Sequence, residues 1–72
     1  MEEKIIGWAA RDKNGVICFY EHKPERGFDL WGSREQPILA GVHENIFSQI
    51  KWEDKEPTKV ELTIKICDWL FL

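Results

Sequence analysis

Paired cysteines are missing from this sequence. Its two, Cys18 and Cys67, stand far apart, and no CxxC spacing occurs. That excludes a disulfide-rich scaffold, and with His22 and His43 as the other soft ligands no pair has zinc-site spacing. Long apolar runs are missing too. None approaches the roughly 20 residues that a membrane-spanning helix needs. The opening MEEKIIGWAARD carries acids and no extended apolar stretch, so it does not read as a signal peptide. Cys67 does not occupy the position of a prenylated C-terminal motif. A cytoplasmic protein with reduced thiols is expected. An excess of positive charge is also lacking. Ten Lys and Arg face thirteen Asp and Glu, a net charge of −3, which argues against general attachment to a phosphate backbone.

What is present suits one small domain spanning residues 1–72. A chain of this length buries only about 60% of its unfolded surface, so its core is marginal. Four Trp, four Phe and one Tyr, within a hydrophobic fraction of 43%, supply enough apolar material to fold rather than stay disordered.

The segment Ile5 to Tyr20 carries the clearest signal. Two apolar runs flank Asp12-Lys13-Asn14-Gly15, and Asn-Gly between strand-like runs predicts a β-hairpin. Strands are expected over about Ile5–Arg11 and Val16–Tyr20. Two registers are open. A two-residue turn at Asn14-Gly15 sets Lys13 opposite Val16. A three-residue loop with Gly15 in the left-handed bulge position sets Asp12 opposite Val16 and Trp8 opposite Tyr20. The second is preferred, because Asp suits the first position of a type I turn and Trp8 then meets an aromatic partner.

Glu21 to Gln36 is polar and rich in turn residues. Phe28, Leu30 and Trp31 are its apolar exceptions and are expected to tuck back onto the hairpin, with a short strand around Asp29–Trp31. A further short strand is expected over Pro37–Ala40, ending at Gly41. Val42, Ile46, Phe47 and Ile50 fall at helical spacing, which predicts one or two helical turns near Glu44–Gln49. Lys51 to Pro57 reads as an acidic turn anchored by Trp52. Thr58 to Ile66 alternates cleanly, with Val60, Leu62, Ile64 and Ile66 against Glu61, Thr63 and Lys65. That predicts a strand whose first row is buried. At Cys67 the alternation breaks, and Trp69 and Phe71 fall on the other face.

No constellation reaches the level of a catalytic motif. Asp12-x-Asn14-Gly15 echoes the start of a calcium loop, but the twelfth position is Lys23 rather than the required Glu. Glu53, Asp54 and Glu56 beside Trp52 resemble an acid–base cluster, yet Lys51 and Lys55 alternate with them as in a solvated turn. No nucleophile, base and orienting group stand together, so a non-enzyme without cofactor or metal is expected. Trp8, Tyr20, Trp31 and Phe28 with Arg11, Lys23 and Arg26 suggest a stacking platform for nucleic acid, against the simpler reading that these rings are the core. Trp69, Leu70, Phe71 and Leu72 put large apolar side chains where chain ends are usually polar. They are the candidate interaction surface, either packed on their own sheet or against a second copy.

The blocks Ala10-Arg11-Asp12-Lys13-Asn14-Gly15, Lys23-Pro24 with Trp31, and Ile46-Phe47 through Lys51-Trp52-Glu53-Asp54-Lys55-Glu56-Pro57-Thr58-Lys59-Val60-Glu61-Leu62 give the chain a family likeness. It resembles short bacterial proteins of gut anaerobes, often carried in prophages and mobile elements. The likeness spans roughly Ile6 to Ile66 and implies a small accessory protein, with no activity to transfer. The tail from Cys67 departs from the pattern, and Ser48 stands where several relatives have Pro.

The expected fold is therefore mainly β, with a small α+β arrangement as the alternative. One antiparallel sheet of three to five strands carries an N-terminal hairpin and one short helical turn. The expected role is a non-catalytic protein-interaction module, self-associating as a homodimer or meeting another protein. Nucleic-acid binding is the alternative, and no membrane partner is expected.

Overall fold

The computed structural model describes residues 2–42 and 46–66. Six strands follow one another: β1 (Glu2–Arg11), β2 (Ile17–Tyr20), β3 (Glu25–Arg26), β4 (Trp31–Gly32), β5 (Leu39–Val42) and β6 (Thr58–Lys65). Four form an antiparallel sheet in the order β5-β2-β1-β6, and β3 pairs with β4 in a separate two-stranded ribbon. The mainly β expectation holds. No helix occurs among the described residues.

The first hairpin adopts the preferred register. Trp8 faces Tyr20 and Ala9 faces Phe19. Asp12 N–H donates to the Val16 carbonyl (2.8 Å), and Gly15 N–H donates back to the Asp12 carbonyl (2.9 Å). Gly15 has φ +95°, a conformation that costs a β-branched residue dearly. The Asn14 side-chain oxygen accepts the Val16 N–H (3.1 Å) and closes the loop.

Residues directly opposite each other share a sheet face. One face therefore carries Ala9, Arg11, Ile17, Phe19 and Val60, and the other Trp8, Ala10, Cys18 and Tyr20. Each face has its own core. On the first, Ala9, Ile17 and Phe19 pack with Ile50, flanked by Val60. On the second, Ala10, Cys18 and Tyr20 pack with Trp31, flanked by Val16 and Trp52. β2 is buried along its whole length because both faces are covered.

At the end of β2 the Tyr20 backbone packs closely against Gly7 of β1. An added Cβ there would run into the Tyr20 carbonyl oxygen, so glycine is what lets the chain pass so close to β1. At the other edge, β5 carries one extra residue between its contacts to Ile17 and Phe19. Gly41 absorbs this bulge at φ +69°.

Three expectations need correction. The stripe Val42, Ile46, Phe47 and Ile50 does not form a helical turn in its described part. Phe47 sits at φ +52°, outside the right-handed helical region, and the Ile50 N–H closes a tight turn on the Phe47 carbonyl (2.9 Å). Glu44 and Asn45 lie outside the described residues. Phe28 and Leu30 do not tuck in. They are 97% and 55% exposed at the tip of the β3–β4 ribbon, and only Trp31 is buried. The row Val60, Leu62, Ile64 and Ile66 is not buried throughout. Val60 packs on the core and Leu62 is half-buried, but Ile64 and Ile66 are 49% and 63% exposed. The cause is the length mismatch: β2 reaches only from Arg11 to Trp8, whereas β1 and β6 pair on to Glu2 and Lys65. Beyond Gly7 the sheet continues as a two-stranded arm.

The three kinds of glycine site predict three stability effects. Gly7→Ala drives a methyl into backbone and should cost about 1–3 kcal/mol, as overpacking does. Gly15→Val has open space but a forbidden φ and should cost about 1 kcal/mol or more. Gly32→Ala meets neither obstacle and should stay within about 0.5 kcal/mol of wild type. Urea midpoints with unchanged slopes check all three.

Candidate functional site

Adjacent strand residues point to opposite faces, and at the end of β1 these are Arg11 and Asp12. On the first face, Arg11 Nε donates to the Ile50 carbonyl (2.8 Å) and Nη2 to the carbonyls of Ile46 (2.8 Å) and Phe47 (3.3 Å). Arg11 Nη1 donates to the Gly15 carbonyl (2.6 Å). The planar guanidinium fork thereby ties the 46–50 segment to the hairpin. Phe47 then meets Phe19 edge-on at 6.0 Å, and Ile50 seals the core. On the second face, the buried Asp12 accepts the Trp31 N–H at Oδ1 (2.8 Å). Lys13 N–H adds a bond to the Asp29 carbonyl (3.1 Å). Tyr20 O–H donates to the Trp31 carbonyl (3.3 Å). Trp31 Nε1 is buried with no partner among the described residues.

This geometry separates the residues expected to form a stacking platform. Tyr20 and Trp31 are 4% and 6% exposed core rings, not an open surface. Trp8 is half-buried with the Lys59 ammonium 5.5 Å from its ring centre. Arg11 lies on the opposite face and is committed to backbone carbonyls. Lys23 pairs with Glu56 (3.3 Å) at the surface. Arg26 stacks 4.1 Å above Trp52, a ring outside the expected set. An open cleft beside the β3–β4 ribbon does hold His22, Lys23, Arg26 and Arg34, with Glu25 and Glu35 among them.

The acidic turn is a built structure rather than a reactive pair. Asp54 Oδ2 accepts the Lys51 N–H (3.0 Å), and Asp54 N–H donates to the Lys51 carbonyl (3.1 Å). Among the described residues no three of His, Cys, Asp and Glu gather as a metal site, and no helix is long and apolar enough to cross a membrane. Cys18 is a buried free thiol. Cys67, His43 and the candidate surface Trp69, Leu70, Phe71 and Leu72 lie outside the described residues.

The open surface with a defined chemistry is the arm. Opposed pairs place Ile5, Leu62 and Ile64 on one side together with Glu3, and Ile66 comes next in the same alternation. The other side carries Glu2, Lys4, Glu61, Thr63 and Lys65, with Ile6 52% exposed among them. β6 is an edge strand: among the described residues, none pairs with its outer side. Alternation revealed the two rows in the sequence, but nothing there marked which part of them a neighbour would cover. Compared with known protein families, curated proteins and solved structures, the chain matches none.

The buried aromatic face makes one titration distinctive. Burial pushes the Tyr20 phenol up to about 12 from its ordinary value of 10.0, with Cys18 and Asp12 adding to the rise. Tyr20 is the only tyrosine, so tyrosinate absorbance should report it alone and show a folded-state midpoint near 12. The unfolded chain gives up this proton at lower pH. Stability should therefore hold up to the unfolded value and fall as pH rises toward the folded one. Tyr20→Phe should lack that part of the slope in chemical-denaturation curves.

Proposed function

We propose that this chain is a non-catalytic protein-interaction module of the cytoplasm that associates with a second copy of itself through the outer end of its sheet. The observation that carries the reading is the arm. Its apolar side leaves Ile64 and Ile66 about half or more exposed, directly beside an edge of an eight-residue strand that no described residue pairs with. Open edges recruit further strands, and exposed apolar rows beside them supply the area that stabilises the pairing. In the sequence, Ile66 is followed within six residues by Trp69, Leu70, Phe71 and Leu72, apolar residues that the self-association reading takes as a candidate interaction segment. A role as an accessory protein of a phage or mobile element accords with the family resemblance of the Ala10–Gly15 and Lys51–Leu62 blocks.

A second reading, nucleic-acid binding, has the cleft of His22, Lys23, Arg26 and Arg34 in its favour. Against it stand Glu25 and Glu35 in the same cleft and the net charge of −3. Retention on heparin with a steep salt dependence would support this reading.

Analytical ultracentrifugation from micromolar to millimolar protein tests the primary reading. A concentration-dependent shift from monomer to dimer mass is expected. A protein that stays monomeric at millimolar concentration would overturn it.

A further inference from the structure

The self-association proposed above has a defined geometry if β6 is its site. We infer that two copies pair β6 against β6 antiparallel, with Thr63 on the two-fold axis. The inference rests on the self-association reading and adds the strand, the register and the contacts.

A two-fold axis requires each patch to complement itself. In antiparallel β6 pairing with Thr63 at the centre, Glu61 stands opposite Lys65 of the partner subunit, and Lys65 opposite Glu61 of the partner subunit. Leu62 meets the partner's Ile64 and Val60 meets the partner's Ile66, each contact again made twice. The two four-stranded sheets join into one continuous sheet. The apolar rows of both copies fall on one side of it, and the charged rows on the other. Within its own chain Glu61 stands opposite Ile6, so its carboxylate has no directly opposed charge. Lys65 stands opposite Glu2, so pairing places it between two carboxylates. Opposite charges facing across strands stabilise, and like charges directly opposite destabilise.

Neighbouring registers are worse on these same residues. Centring on Leu62 sets Lys59 against Lys65 of the partner subunit. Centring on Glu61 sets that carboxylate against its own copy. Centring on Val60 does oppose Lys59 to the partner's Glu61. However, it draws Lys59 away from the Trp8 ring, brings Pro57 opposite Thr63, and leaves Ile64 and Ile66 uncovered. Pro57 has no N–H to give to a ladder. Centring on Ile64 opposes Thr63 to the partner's Lys65 and matches no opposite charges. A slip by one residue turns the apolar row of one copy toward the charged row of the other.

Two single charge reversals, assayed apart and then together, test this. Glu61→Lys and Lys65→Glu each replace both attractions of the homodimer by repulsions. Each variant alone should dimerise about tenfold more weakly or worse, since the two-fold axis counts every pair twice. An equimolar mixture should recover wild-type affinity as a heterodimer. In it the two reversed side chains face each other with opposite charges, and the unaltered Lys65 faces the unaltered Glu61. The Lys65→Glu side chain also opposes Glu2 of its own chain. That clash is present in both assays of the variant and does not imitate recovery. Melting curves of both variants confirm that the fold is kept. If wild type dimerises but the mixture recovers nothing, the register is wrong while self-association stands. If wild type is monomeric at millimolar concentration, both fail. In a mixed labelled and unlabelled wild-type dimer, intermolecular proton contacts should link Leu62 with the partner's Ile64. Contacts of Leu62 with its own copy would overturn the Thr63 centre.

Discussion

Arg11 and Asp12, adjacent in sequence and opposed in direction, hold the two halves of this protein to its sheet. With no helix among the described residues, this small sheet has two apolar faces covered by irregular segments. Such segments bring backbone groups over the core without a ladder to satisfy them, and an unpaired buried polar group costs about 1–3 kcal/mol. Arg11 answers this on one face by donating to the carbonyls of Ile46, Phe47 and Ile50. Asp12 answers it on the other by accepting the Trp31 N–H. Bonds to a charged group are the stronger kind, so each side chain anchors a covering segment and offsets its own partial burial. The Asn14-Gly15 turn matters because it places both anchors at the hairpin end.

The reach of these anchors sets where the core stops. The 46–50 segment covers Phe19 and Ile17, and Trp31 covers Tyr20 and Cys18. Both coverings lie over β2, which ends where Gly7 lets the Tyr20 carbonyl approach. β1 and β6 continue past that point with the same alternation, and there Ile64 and Ile66 are left largely exposed. The surface proposed for association is thus a consequence of the architecture: the part of the sheet that outruns its core carries the open edge and the exposed isoleucines.

The hairpin was legible because it is local. Asp12, Asn14 and Gly15 decide its register within a few bonds, and the Trp8–Tyr20 pairing follows. The β6 strand was legible through its period of two. Its burial was not, because alternation marks two faces and cannot say which stretch a distant segment covers. The stripe at Val42, Ile46, Phe47 and Ile50 misled for a related reason. Ile50 enters the core, and Phe47 touches Phe19 edge-on from a partly exposed turn at positive φ, so the helical spacing is met without a helix. Trp31 and Phe28 were indistinguishable as aromatic residues in a polar segment, yet one is core and the other 97% exposed. Arg11 looked like a nucleic-acid contact. It donates to the Gly15 carbonyl nearby and to the carbonyls of Ile46, Phe47 and Ile50 far along the chain, and no residue type signals the distant ones in advance.

Amide hydrogen exchange in Arg11→Ala and Asp12→Ala shows whether these two side chains tether separate faces. The reporters are the Ile50 amide, bonded to the Phe47 carbonyl, and the Gly27 amide, bonded to the Leu30 carbonyl. Arg11→Ala should speed exchange at Ile50 and leave Gly27 near its wild-type rate. Asp12→Ala should do the reverse. If both variants accelerate both amides equally, or neither amide responds, the two faces are not held by these two side chains and the account is wrong.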